Sequence, residues 1–106
     1  MKVGVAISSF NSDQEVIQLI NKIREEQWPI SGIIIVDSMG SNEIQNYLLS
    51  NNMQDIEYHN FNYNLGSAGN LHQRIHLASK HDWDFVLALN HDALVTKSTL
   101  IAQLEY

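Results

Sequence analysis

Asn90, His91 and Asp92 close a run of large apolar residues, Trp83-Asp84-Phe85-Val86-Leu87-Ala88-Leu89. An amide, an imidazole and a carboxylate at the end of a buried strand are delivered together to the rim of a sheet. In open parallel sheets that rim is where ligands bind. Two earlier apolar strands also end in polar residues: one at Ser8-Ser9-Phe10-Asn11, the other at Asp37-Ser38. A carboxylate there can hold a cation, and an anionic ligand beside it needs one, because like charges at close range repel. His72 and His76 form a second candidate, since helical i, i+4 spacing can bind zinc. No glutamate follows His72, where Gln73-Arg74 stands, and no third ligand is placed. A solvated or capping role suits them better. His59, His81 and His91 carry no assigned role.

The elements that would position these groups alternate. Residues 2–8 read as a strand in which Val3, Val5 and Ile7 alternate with Lys2, Gly4 and Ala6. Ser12-Asp13-Gln14-Glu15 has the capping-box form, and Val16, Leu19, Ile20 and Ile23 predict a helix over 13–27. Pro29 ends helical continuation. The β-branched run Ile33-Ile34-Ile35-Val36 predicts a strand buried on both faces. Ile44, Tyr47 and Leu48 mark a short helix, and Ile56 and Tyr58 a weaker strand near 55–60. A helix over 67–80 follows, with Leu71, Ile75 and Ala78 as its buried stripe. The run at 85–89 predicts a second central strand, and 97–105 a last helix. Strand and helix alternating four times predict a three-layer α/β/α fold with a mainly parallel sheet. If the first and fourth strands are neighbours, their gap is the topological switch point, lined by Ser8, Phe10 and Asp92.

Composition narrows the function classes. The 106 residues suit one domain, and the net charge of -6 lacks the basic footprint of nucleic-acid binding. Without cysteine there is no disulfide framework and no thiolate metal site. No apolar run reaches the roughly 20 residues of a membrane span, and the N-terminus enters a strand pattern with no signal peptide before it. The expected location is cytoplasmic, with peripheral attachment at the inner face of a membrane left open. The C-terminus carries no stop signal, so the chain reads as the front half of a larger, truncated domain. Uncovered apolar surface would then favour a homo-oligomer.

The ordered set S-S-F-N (8–11), Q-W-P (27–29), I-I-I-V-D-S (33–38), N-L-G-S-A-G (64–69) and N-H-D (90–92) resembles family 2 glycosyltransferases. The resemblance covers the nucleotide-binding front half of that family's domain. It implies a GT-A (nucleotide-diphospho-sugar transferase) type fold and transfer of a sugar from a nucleotide-diphosphate donor to a glycan or lipid-linked acceptor. It implies Phe10 stacking on the base with Ser8 beside it, core packing being the alternative for Phe10. It implies that Asp37 holds base or ribose, an Asx-turn being the alternative. Asn11, Ser38, Asn70 and Asn90 complete the implied nucleotide-sugar-binding set.

Asp92 matches the last acid of the family's D-x-D motif and is the implied ligand of a divalent metal, Mg²⁺ or Mn²⁺. Asn90 replaces the first acid, as in the N-x-D form of rhamnosyltransferase-like members. Met39 lengthens the loop before Gly40-Ser41. Where the family has Asn-Arg-Gly, this chain has His72, Gln73 and Arg74, so the arginine is displaced and takes no implied phosphate role. Gly66 and Gly69 suit either a phosphate-facing helix start or close helix–sheet packing. The implied catalytic base belongs to the second half of the domain. The alternative function is a non-catalytic nucleotide-binding or interaction module of the same fold. A zinc-binding α/β domain is a third.

Overall fold

The computed structural model describes residues 2–53 and 55–90. The helix expected at 97–105, with His91 and Asp92, lies outside the described residues.

Seven elements follow one another: β1 (Val3–Ser9), α1 (Asp13–Glu25), β2 (Gly32–Asp37), α2 (Glu43–Ser50), β3 (Ile56–Asn60), α3 (Gly66–Ala78) and β4 (Phe85–Leu89). The strands form one sheet in the order β3-β2-β1-β4, and every pairing is parallel. This is the expected α/β fold with a parallel sheet. The order reverses at β1, so the β1–β4 gap is the switch point.

Side-chain alternation along β1 and β2 builds the layers. Val5, Ile7, Ile33 and Ile35 pack under Val16, Ile20 and Ile23 of α1 and Ile44 and Leu48 of α2. Ala6, Ile34 and Val36 face the other way, against Leu77 and Ala78 of α3. Small residues on that second face have a specific purpose. A Cβ on Gly4 would overlap the Trp83 ring, and one on Gly32 would sit 2.8 Å from Trp83 Cζ2. The indole therefore lies flat across β1 and β2.

Three expectations change. The capping box does not form: Ser12 precedes α1, but its hydroxyl donates to the Phe10 carbonyl (2.7 Å) and ties down the loop after β1. Leu71 and Ile75 do not belong to the buried stripe of α3. They are exposed, and the buried face is Asn70, Arg74, Leu77 and Ala78. β4 is not central. Among the described residues it is an edge strand, with Phe85, Val86 and Ala88 exposed, because it pairs on one side only. No helix among the described residues is long and apolar enough to cross a membrane.

Candidate functional site

Parallel strands place the loops that follow them on one edge, and helix α3 starts at that same edge. A cavity of about 460 Å³ opens there, at the switch point. That is within the range of small-ligand sites, roughly 300–1,000 Å³. β1 contributes Ser8 and Ser9 and its following loop Phe10. Ser38 comes from beyond β2, Asn64, Gly66, Ser67, Asn70 and Arg74 from the start and inner face of α3, and Asn90 from the end of β4.

Five expected site residues thus converge: Ser8, Phe10, Ser38, Asn70 and Asn90. Ser8 Oγ donates to Asn90 Oδ1 (3.3 Å), which bridges the two strands at the cavity mouth. Phe10 is 44% exposed, which separates it from core aromatics and leaves a ring face available to a flat ligand. Asn70 is buried and spends its amide on the scaffold. Its Nδ2 donates to the Val36 carbonyl (3.0 Å) and to Ser38 Oγ (3.2 Å), joining α3 to the end of β2.

Asn11 and Asp37 do not line the cavity. Asn11 is exposed with φ 50°, a left-handed position that turns the chain from β1 towards α1. Asp37 has no exposed surface. Tyr58 Oη donates to its Oδ2 (2.7 Å), its Oδ1 has no hydrogen-bond partner, and Gly40 lies so close that a Cβ would overlap the carboxylate. Asn60 Nδ2 donates to the Gly40 carbonyl (3.1 Å), and Ser41 Oγ donates to Asp13 Oδ2 (2.6 Å). The loop lengthened by Met39 is thereby folded back over Asp37.

Burial pushes the Asp37 carboxyl above its usual range, partly offset by the Tyr58 hydroxyl. The same burial, with the carboxylate beside it, pushes the Tyr58 hydroxyl far up. The sign for stability follows. A raised folded value means the native state holds the proton more tightly than the unfolded chain. The burden of the charge is absent below the unfolded value and grows as pH rises through the folded one. Asp37→Asn keeps an acceptor for Tyr58 and removes the charge. It is expected to raise the melting temperature at pH 7 by a few degrees, with the gain closing towards pH 4 in parallel thermal scans.

Arg74, which takes no implied role from the sequence, lines the cavity. It is 6% exposed, its Nη1 donates to the Leu89 carbonyl (3.2 Å), and its Nε is buried without a partner. Burial pushes its guanidinium down from its usual range. The signal was its spacing: Asn70 and Arg74 are i, i+4 and so share a helix face. His72 and His76 lie exposed on the other side of α3 with parallel rings, centroids 6.5 Å apart. Among the described residues no three His, Cys, Asp or Glu side chains form a metal-holding group.

No protein-family model matches the chain, and no curated protein matches it. Solved structures of TarS from S. aureus do. TarS 1–349 is similar over 99% of this chain and 32% of that chain, at 21% identity and a TM-score of 0.73. The same protein in complex with UDP gives 21% identity and 0.73, over 99% of this chain and 31% of that one. In complex with UDP-GlcNAc it gives 20% and 0.74, over 99% and 30%. At that identity the likeness establishes the fold. The chain spans about a third of the length of TarS 1–349.

Proposed function

We propose that this chain forms the donor-binding part of a glycosyltransferase, which moves a sugar from a nucleotide diphosphate to an acceptor hydroxyl on a glycan or lipid-linked acceptor. The observation that carries this reading is the cavity at the β1–β4 switch point, walled by an exposed aromatic ring and the start of a helix. Its support from outside is the shared fold with the glycosyltransferase TarS, which has been seen with UDP and UDP-GlcNAc. In this reading Phe10 stacks on the base and Asn90 holds a ribose hydroxyl beside Ser8, while the buried Asp37 supports the cavity wall through the loop that carries Ser38.

A divalent ion fits the chemistry of the donor set. Asn90 and Ser8 place neutral oxygens at the mouth, and the Asp92 carboxylate follows two residues after Asn90. Hard cations such as Mg²⁺ and Mn²⁺ take oxygen ligands, and one carboxylate leaves most of the shell to phosphate and water. When bound, such an ion stabilises charge on the leaving diphosphate. The N-x-D form of the motif, resembling rhamnosyltransferase-like members, belongs to this reading. So does self-association, favoured by the exposed apolar side chains Leu71, Ile75, Phe85 and Val86. The non-catalytic module is the second reading, favoured by Asn90 standing where an acid would add charge.

Calorimetric titration with UDP tests the site and its metal together. Mn²⁺ is expected to strengthen binding, and Asp92→Asn to abolish that gain, because an amide lacks the charge that holds the ion. Equal binding in chelator and in Mn²⁺, unchanged by Asp92→Asn, would remove the metal role. Sugar transfer by the longest available form of the protein separates enzyme from module.

A further inference from the structure

An apolar groove runs beside α3 along the open edge of β4. The register pairs Val86 with Gly4 and Ala88 with Ala6, so both share the sheet face that α3 covers, and both are exposed. Around its axis, α3 presents Asn70 to the Val36 carbonyl of β2 and, about 40° further on, Arg74 to the Leu89 carbonyl of β4. Leu71 and Ile75 follow in the same sense, at about 100° and 140° from Asn70, which turns them outward past β4. Among the described residues Ile75 is 58% exposed. Helix flank and strand edge are thus two walls of one groove.

The sequence after β4 matches that groove in direction, pattern and length. The crossings through α1 and α2 step one way along the sheet, with both helices on one face. The crossing through α3 steps the other way, with α3 on the opposite face. A helix leading outward from β4 steps the same way as α3, and a right-handed connection puts it on the face of α3. In residues 97–105, Leu100, Ile101 and Leu104 share one helical stripe, with Ala102 on the far side. Such a helix is about 13 Å long, enough to cover the roughly 6 Å from Leu71 to Ile75 along α3. We propose that residues 97–105 fill this groove as a helix beside α3, with Leu100 and Ile101 against Leu71 and Leu104 against Ile75. The docked helix and the end of β4 then hold both ends of the segment that carries Asp92. Leu71 and Ile75 become positioning residues for Asp92, a consequence that rests on the donor-binding reading. Phe85 alternates to the other face of β4 and stays open to a second copy.

The chain has no cysteine, so disulfide trapping under mild oxidation reads the docking directly. Ile75→Cys combined with Leu104→Cys is expected to close an intramolecular disulfide in the monomer. Ile75→Cys combined with Ala102→Cys is expected to stay reduced. Equal trapping of the two pairs, or trapping of neither, overturns the proposal. So does a cross-linked dimer as the main product of Ile75→Cys alone, which would put a second copy in the groove. Titration with UDP reads the positioning role. Ile75→Asp is expected to remove the Mn²⁺-dependent gain in affinity and to leave affinity in chelator unchanged, whereas Ile75→Val keeps the gain. If Ile75→Asp keeps the full gain, or lowers both affinities together, the positioning role is overturned. If wild type binds no UDP with or without Mn²⁺, the donor-binding reading and the positioning role fail, and the trapping result decides the docking by itself.

Discussion

Ile35→Ala is expected to cost about 2–5 kcal/mol, the largest loss of any change considered for this chain. Ile35 sits mid-way along β2 with no exposed surface, in the layer shared with α1 and α2. Alanine removes three carbons from a position enclosed on all sides, and a sheet flanked by helices on both faces cannot collapse into the gap. Total stabilities of small domains are about 5–15 kcal/mol, so the variant would lose a large share. Urea unfolding followed by circular dichroism measures it. Leu49→Ala on the exposed side of α2, where the side chain is 60% exposed, is the matched control and is expected to stay within about 0.5 kcal/mol. An equal loss at both positions would mean that the layer around Ile35 is not close-packed.

Gly40→Ala is expected to cost about 1–3 kcal/mol, as overpacking does, and to weaken nucleotide binding as well. The added methyl would occupy the space of the Asp37 carboxylate. That carboxylate has nowhere to go: Tyr58 holds one oxygen, and its strand is paired on both sides. The loop must move instead, and it carries Ser38 into the cavity wall. A double-mutant cycle isolates the cause. With Asp37→Ala already present there is no carboxylate to meet, so the added cost of Gly40→Ala should vanish. If that cost persists, the loop backbone rather than the carboxylate sets the constraint.

The run at 33–36 made β2 readable, because continuous β-branched residues have few other places to go than a strand covered on both faces. The small residues of β1 were readable for the same reason. The orientation of α3 was not. Apolar spacing pointed to Leu71 and Ile75, yet the helix buries Asn70 and Arg74. It crosses strand ends whose carbonyls, at Val36 and Leu89, accept hydrogen bonds, so polar side chains are satisfied there. Hydrophobic periodicity does not register such partners. Five of the expected site residues shared a cavity because strand ends in a parallel sheet share an edge. The burial of Asp37 was invisible because its cover, Tyr58, lies 21 residues away on β3 and Gly40 closes over it from the loop.

The two tryptophans stand on opposite faces of the sheet. Trp28 is buried in the layer of α1 and α2, whereas Trp83 lies against the layer of α3 across Gly4 and Gly32. Each face therefore contains its own fluorophore. Their surroundings differ as well: the Trp28 Nε1–H donates to Glu26, and the Trp83 indole stacks on the His81 imidazole, with ring centroids 4.2 Å apart. Single-tryptophan variants turn the sheet into an instrument that reports, face by face, which layer loosens first.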